Sequence, residues 1–294
     1  MAKMRAKTQK TLMRNIILFH AMLLGFLIFI TSTTHAAQSE WAVSDNVRAR
    51  LLSGVKSGGD ETTIQAALEV DMEEGWHTYW KHAGDSGLPM RFNWDGSTNL
   101  TDVKISYPVP LRKRELDILT VFAYDDRMIL PMEVTLESAQ QDTNLELELQ
   151  LMVCKEICVP DQLKVSLDLS KGEGEDAHQL KIIEAAKRKV PYVQGEGKKD
   201  SDLFIDTIVT GKEAIVVSAH MKRGSDKALL IAHNNDFAFT TKPVFAVDEA
   251  DPQRVMITVP KPEDVDNLMD VLNGQTLTIV LSDGRQAVEK SIDF

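Results

Sequence analysis

Cysteine is scarce in this chain: its 294 residues include only two, Cys154 and Cys158. Small exported proteins that depend on disulfides for their fold carry several bridges, so one pair excludes a disulfide-built scaffold. A structural zinc site needs four ligands, and the sequence offers no second cysteine pair to complete one. The two cysteines therefore need a different explanation.

Basic residues are fewer than acidic ones. The chain has 33 lysines and arginines against 44 aspartates and glutamates, which gives a formal net charge of −11. Proteins that bind the phosphate backbone of nucleic acids present a basic surface. The acidic balance predicts solubility and no nucleic-acid partner.

Long apolar runs are absent after residue 36. Before that point, five basic residues and no acidic ones precede the run "NIILFHAMLLGFLIFI", and the small residues Thr34 and Ala36 follow it. This order is typical of a secretory signal peptide, and the run is shorter than the roughly 20 residues that span a bilayer. We predict a cleaved signal peptide at residues 1–36 and export to the periplasm; the alternative is an uncleaved membrane anchor. Cleavage would remove the five basic residues and bring the charge to −16.

Alternation of apolar and polar residues dominates the rest of the chain. It is clearest in "TTIQAALEVDM" (62–72), "LELELQLMV" (145–153) and "LKVSLDL" (163–169). A period of two indicates half-buried antiparallel strands, and proline and glycine separate the segments as turns do. We predict an all-β fold with a first β-sandwich at residues 37–170.

A polar stretch and a helical pattern then interrupt the strands. Leu180, Ile183, Ala186 and Val190 recur at helical spacing, and Pro191 ends the pattern. Residues 171–200 are predicted to form a helical linker to a second β-sandwich at residues 201–294. Within that second domain a further helix is predicted between Pro262 and Gly274, with Val265, Leu268, Met269 and Leu272 on one face.

The spacing of the two cysteines requires a bend. If the chain continued as a strand, four steps would separate the two Cα atoms by about 13 Å. A disulfide tolerates up to about 6.8 Å. Pro160 and Asp161 are turn-forming residues, and matched strand patterns flank the segment. We expect a tight loop or bulged hairpin in which the cysteines can bridge each other.

Four interpretations of the pair compete. The interpretation as a structural staple has weak support, because a disulfide that closes so short a loop contributes only about 2 kcal/mol to the stability of the fold. Two thiolates can hold a soft ion such as Cu(I). A cysteine hydrolase needs no second cysteine, and no nucleophile-elbow motif is present. Thiol–disulfide exchange needs one sulfur to attack a partner and a second to resolve the mixed disulfide. On the residues alone, exchange is favoured and the staple stays open.

Three segments together resemble a known family. They are "GWHTYWKHAGDSGLPMRFNW" (75–94), "AYDDRMILPMEV" (123–134) and "LMVCKEICVP" (151–160), in this order. They look like the N-terminal exported domain of the DsbD-type protein-disulfide reductases, in particular the branch linked with copper-sensitivity suppression. The end of the chain, "GQTLTIVLSDGRQAVEKSIDF" (274–294), resembles the second sandwich of that branch.

The resemblance implies an immunoglobulin-like sandwich whose pair Cys154 and Cys158 is redox-active and catalytic. It implies exported thioredoxin-like partners and no cofactor. It also implies a loop that shields the pair, for which "LTVFAYDD" is the candidate, with Phe122 and Tyr124 as the covering residues; the alternative is that both are core aromatics. The membrane helices and thioredoxin-like domain of longer family members do not follow in this sequence, so a separate membrane electron donor is expected.

Two further questions stay open at this stage. The aromatic residues Trp76, Tyr79 and Trp80 are expected to pack in or around the core, with a docking surface as the alternative. The rival to an exchange protein is a non-enzymatic exported binding module whose cysteine pair binds copper or staples a loop.

Overall fold

The computed structural model describes residues 37–54, 62–169, 175–195 and 201–294. The predicted signal peptide at residues 1–36 lies outside the described residues. So do residue 170, at the end of the predicted first sandwich, and the two ends of the predicted linker, 171–174 and 196–200. Because the predicted domain boundaries fall in those two stretches, they stay predictions. In the part of the chain that is described, no helix is long and apolar enough to cross a bilayer.

Two sheets with a common core form the first half of the molecule. Its strands are β1 (Ala42–Val43), β2 (Val47–Ser53), β3 (Thr63–Met72), β4 (His77–Gly84), β5 (Arg91–Asn93), β6 (Leu100–Ile105), β7 (Leu111–Glu115), β8 (Leu119–Asp125), β9 (Arg127–Leu136), β10 (Thr143–Cys154) and β11 (Cys158–Leu169). One sheet has the order β1-β2-β3-β9-β6. The other has the order β11-β10-β4-β8-β7, with β5 paired to β10.

Alternation explains how these strands build a core. In β10, Leu145, Leu147 and Leu149 are fully buried, while the residues between them are partly or fully exposed. The apolar faces of both sheets meet in one cluster that includes Leu68 from one sheet and Phe122 from the other. The all-β sandwich prediction is confirmed here.

The predicted linker helix is present as α1 (Ala177–Lys187). The side chain of Asp176 caps it by accepting hydrogen bonds from the backbone N–H groups of His178 and Gln179. Its buried Ile183 packs against Leu52 and Ala67 on the outer face of the first sheet. The helix is therefore docked on the first sandwich.

Two four-stranded sheets form the second half. The strands are β12 (Tyr192–Val193), β13 (Leu203–Thr210), β14 (Ala214–Met221), β15 (Leu229–His233), β16 (Val244–Val247), β17 (Arg254–Pro260), β18 (Thr276–Ser282) and β19 (Ala287–Asp293). Their orders are β12-β19-β18-β15 and β13-β14-β17-β16, around a core of their own. The predicted second helix is shorter than expected: α2 spans Leu268–Leu272, because it begins after the cap residue Asn267 and not at Pro262. Met269, predicted on the buried face, is 37% exposed.

The two halves also share apolar packing. In β15, Leu230 and Ala232 belong to the second core, whereas Ile231 belongs to the core of the first sandwich. Val280 of β18 also belongs to the core of the first sandwich. One sheet of the second half thus buries both of its faces.

Candidate functional site

The cysteines lie at the end of a long hairpin. Cys154 is the last residue of β10 and Cys158 the first of β11, and the two are direct cross-strand partners. Three residues form the turn, closed by a hydrogen bond from the N–H of Lys155 to the carbonyl of Ile157 (3.1 Å). The Cα atoms lie 4.1 Å apart and the sulfurs are bonded. The predicted hairpin and bridge are confirmed.

The two sulfur-bearing residues differ sharply in exposure. Cys154 is 1% exposed, whereas Cys158 lies at the surface. Cys154 belongs to a small apolar cluster with Tyr79, Ala83, Val121 and Ala123, which is separate from the main core. The bridge therefore joins one exposed residue to one that is covered by protein.

Tyr79 of β4 lies directly against the bridge. Its hydroxyl oxygen is 3.0 Å from Cys154 Sγ and 3.6 Å from Cys158 Sγ. β4 reaches this position because it pairs with the last two residues of β10, where Val153 opposes Thr78 and Cys154 opposes His77. Period-two alternation then puts His77 and Tyr79 on the same face of β4.

Glu115, the last residue of β7, completes the polar part of the site. Its Oε1 atom accepts a hydrogen bond from the Tyr79 hydroxyl (3.1 Å) and lies 2.8 Å from Nε2 of His77. Burial raises the pKa of Tyr79 well above its usual value, and the charge of Glu115 raises it further. Tyr79 therefore stays a neutral phenol with one proton to donate, next to the sulfur of Cys154.

A glycine turn holds the Tyr79 ring from the other side. Gly87 has φ +88°, and a Cβ atom there would lie 2.1 Å from the ring. Only glycine combines this backbone conformation with so close an approach. The ring of Tyr79 is thus in contact with the turn at Gly87 while its hydroxyl reaches the disulfide.

The structure does not bring Phe122 and Tyr124 to the disulfide. Both lie on β8, whose alternation sends Val121 and Ala123 to the cysteine cluster and Phe122 and Tyr124 to the main core. The hydroxyl of Tyr124 donates a hydrogen bond to the carbonyl of Pro108 (2.7 Å). Their placement is that of core aromatics, the alternative considered for them, and Tyr79 takes the position beside the sulfurs.

The other aromatic residues of the first motif face the core. Trp80 is 1% exposed and Trp76 packs partly buried against the same cluster, as expected for a core role. Sequence reasoning missed Glu115, His77 and Gly87. The spacing of His77 and Tyr79 is a visible signal that they share a face, but nothing in the sequence indicates that this face meets Cys154.

Exposed apolar side chains border the site. We call Leu88, Leu116, Ile118 and Ile157 the apolar rim; they are 56%, 83%, 71% and 68% exposed. Leu88 follows Gly87, Leu116 follows Glu115, and Ile157 precedes Cys158, so three of them neighbour a site residue directly. Exposed apolar groups that cluster at one place mark surfaces for other proteins.

Over the described ranges, no group of three or more histidine, cysteine, aspartate or glutamate side chains is placed to hold a metal ion. The copper alternative, which involves only the two thiolates of Cys154 and Cys158, is not tested by this finding.

Fold and site together define an all-β, immunoglobulin-like protein that carries a half-exposed disulfide at a hairpin end. Residues 50–170 match the family model described as "Thiol:disulfide interchange protein DsbD, N-terminal". This segment contains both cysteines, Tyr79 and Glu115. The resemblance to the N-terminal domain of DsbD-type proteins is thereby confirmed, and a role in thiol–disulfide exchange is supported.

Solved structures extend the likeness to both sandwiches. The N-terminal periplasmic domain of ScsB from Proteus mirabilis has a TM-score of 0.62 and 18% sequence identity, covering 87% of this chain and 98% of that one. At this identity the likeness shows the fold alone. A marsupial T cell receptor reaches a TM-score of only 0.23 at 8% identity, covering 85% of this chain and 98% of that one, and carries no argument. Among curated proteins, no sequence matches this chain significantly.

Proposed function

We propose that this chain is a periplasmic thiol–disulfide exchange protein that passes two electrons between the Cys154–Cys158 pair and exported thioredoxin-like partners. The observation that carries the proposal is the asymmetry of the bridge, with an exposed Cys158 and a covered Cys154 beside the Tyr79 hydroxyl. A structural staple requires no exposed sulfur. An exchange pair does, because the attacking thiolate must reach a sulfur atom.

Cys158 is the residue that exchanges with the partner. In the reducing direction its thiolate attacks one sulfur of the partner's disulfide, and the other partner sulfur leaves with the electron pair and takes up a proton. A mixed disulfide now joins Cys158 to the partner. The apolar rim, three of whose members are next in sequence to a site residue, supplies exposed apolar contact area for the docked protein.

Cys154 resolves the mixed disulfide. Its thiolate attacks Cys158 Sγ, the bond to the partner breaks, and the partner's second sulfur leaves and is protonated. The partner gains two electrons and two protons, and Cys154 and Cys158 return to the disulfide. Tyr79 acts on this step, because its hydroxyl lies 3.0 Å from Cys154 Sγ and its single O–H can turn from Glu115 to donate a hydrogen bond to the thiolate of Cys154.

The reduced pair has to be regenerated from elsewhere. In an oxidising compartment a thiol pair stays reduced only if a reductant acts on it. A separate membrane protein is the proposed donor of these two electrons, as the DsbD-type resemblance implies. The same two steps run in reverse when a partner dithiol reduces the Cys154–Cys158 disulfide.

The experiment is a disulfide-transfer assay. The reduced protein is mixed with an oxidised thioredoxin-fold protein, and free thiols on both are followed by alkylation and mass spectrometry. We expect stoichiometric transfer, absent in the Cys154→Ser/Cys158→Ser double variant. No transfer in either direction, together with a reduction potential below about −300 mV, would establish a structural bridge instead.

A further inference from the structure

A cleft of about 480 Å³ lies where the two sandwiches and α1 meet. Its lining includes Arg112 of β7, Arg188 and Lys189 after α1, Lys227 before β15, and Arg285 in the turn between β18 and β19. None of the described lining residues is acidic. Five cations with no carboxylate are unexpected in a chain whose net charge is −11.

The five cations make no ion pair across the part of the chain that the structure describes. Within the described residues, none of the five forms an ion pair with a carboxylate, whereas nearby Arg223 pairs with Asp202 and Asp283. Asp85 is the acidic group whose charge acts on Arg112, and it does not line the cleft. An anion bound within reach of several cations gains free energy from each of them.

Arg112 adds a second, independent observation. It is only partly exposed, and one of its terminal nitrogens donates to the carbonyl of Thr240 across the interface between the halves. Its other terminal nitrogen, Nη1, is buried and has no hydrogen-bond partner among the described residues. Buried donors without partners are rare in folded proteins, and a bound water or ion that supplies the acceptor is one explanation for them.

Ordinary structural reasons account for part of the cluster only. Basic residues after the last turn of a helix interact favourably with its dipole, which explains Arg188 and Lys189 at the end of α1. Lys227 and Arg285 lie in strand connections of the second half, and Arg112 lies on a strand of the first. No helix end explains why these three approach the same cleft.

We infer that this cleft is a binding site for a small polyanion that carries at least two carboxylate or phosphate groups. Its volume falls in the range of small-molecule sites. Guanidinium groups bind both kinds of anion with paired hydrogen bonds. An extended polyanion is disfavoured, because the rest of this acidic molecule repels it beyond the cleft. A bound ligand would bridge the first sandwich, the linker and the second sandwich.

The test uses isothermal titration calorimetry at low salt with two probes, inorganic pyrophosphate and citrate. We expect one saturable site, a higher unfolding temperature with ligand, and affinity that falls with added salt. In the Arg188→Ala/Arg285→Ala variant the affinity should fall by about tenfold or more, since hydrogen bonds to charged groups are being removed. Binding of pyrophosphate alone would assign a phosphate ligand, and binding of both would assign a general polyanion site.

The matched control is Lys104→Ala/Arg254→Ala, which removes the same charge from exposed strand positions outside the cleft. It should keep the affinity of the unmodified protein. Equal weakening in both double variants, or no saturable binding of either probe, would mean an adventitious ion only and overturn the proposal. If circular dichroism shows that the Arg188/Arg285 variant is unfolded, Lys189→Ala/Lys227→Ala replaces it under the same criteria.

Discussion

The hydroxyl of Tyr79 lies 3.0 Å from the sulfur of Cys154, the covered half of the disulfide. Tyr79 and Cys154 are 75 residues apart in sequence, and they meet because β4 and β10 are neighbours in one sheet. Oε1 of Glu115 accepts a hydrogen bond from the same hydroxyl. When the bridge opens, the single O–H of Tyr79 can turn from Glu115 to the leaving sulfur of Cys154 and donate a hydrogen bond to it.

Replacing Tyr79 with phenylalanine should slow exchange. The donor to the Cys154 thiolate is lost, so the pKa of that thiol in the reduced protein should rise, and resolution should slow by about tenfold, the effect of one hydrogen bond to a charged group. Stopped-flow alkylation and disulfide-transfer kinetics measure both quantities. Tyr107→Phe is the control, since Tyr107 packs on the main core away from the cysteine cluster. Equal exchange rates in the Tyr79→Phe and Tyr107→Phe variants would show that the Tyr79 hydroxyl has no role in exchange.

A side chain at Gly87 should disturb the site through Tyr79. Gly87→Ala adds the strain of a positive φ, about 1–2 kcal/mol, and an overlap with the Tyr79 ring that costs about 1–3 kcal/mol more. Gly224→Ala is matched, because Gly224 has φ +77° but open space at its Cβ position. Urea unfolding should show a larger loss of unfolding free energy for Gly87→Ala than for Gly224→Ala. Only Gly87→Ala should change the exchange rate. Identical losses of unfolding free energy in the two variants would mean that the Tyr79 ring moves aside without cost, which would contradict this prediction.

Stability should fall between pH 7 and pH 5 because of two histidines where the halves meet. His233 and His82 lie with ring centroids 4.7 Å apart, and burial lowers the pKa of His233 to about 3 and that of His82 to about 4. Lys81 lowers both further, while Asp236 acts in the opposite sense on His82 and the carbonyl of Asn234 on His233.

The sign follows from the unfolded chain, in which both rings take up protons near pH 6.5. Below that pH the unfolded state binds more protons than the folded state, so stability is full above about pH 6.5 and is lost as the pH falls towards the two folded-state values. Urea unfolding at pH 7 and pH 5 should give a smaller difference for His233→Asn than for the unmodified chain. His178→Gln, at an exposed position of α1, should leave the difference unchanged. A His233→Asn protein with the full pH dependence would contradict this account.

The sequence predicted the elements around the disulfide better than the contacts across it. Leucine alternation in 145–153 and 163–169 identifies β10 and β11. The expected turn residues Pro160 and Asp161 lie within β11 instead, paired with Met152 and Leu151, and residues 155–157 form the turn. In contrast, β4 and β8 are buried on both faces, so their patterns do not reveal which side meets Cys154. Phe122 and Tyr124 are candidates only by their position in the resemblance, and nothing in the pattern of β4 points to Tyr79. The packing of Ile231 against the first sandwich was equally invisible, because a strand between two cores carries no polar face.

Single-cysteine trapping tests the central claim most directly. Variants Cys154→Ala and Cys158→Ala, each confirmed as folded, are mixed with an oxidised thioredoxin-fold protein, and mixed disulfides are counted by non-reducing gel and mass spectrometry. Cys154→Ala, which keeps the exposed Cys158, should accumulate the mixed disulfide, and Cys158→Ala, which keeps the covered Cys154, should form little. Equal capture by both variants, or capture through Cys154 alone, would contradict the assignment of Cys158 as the exchanging residue.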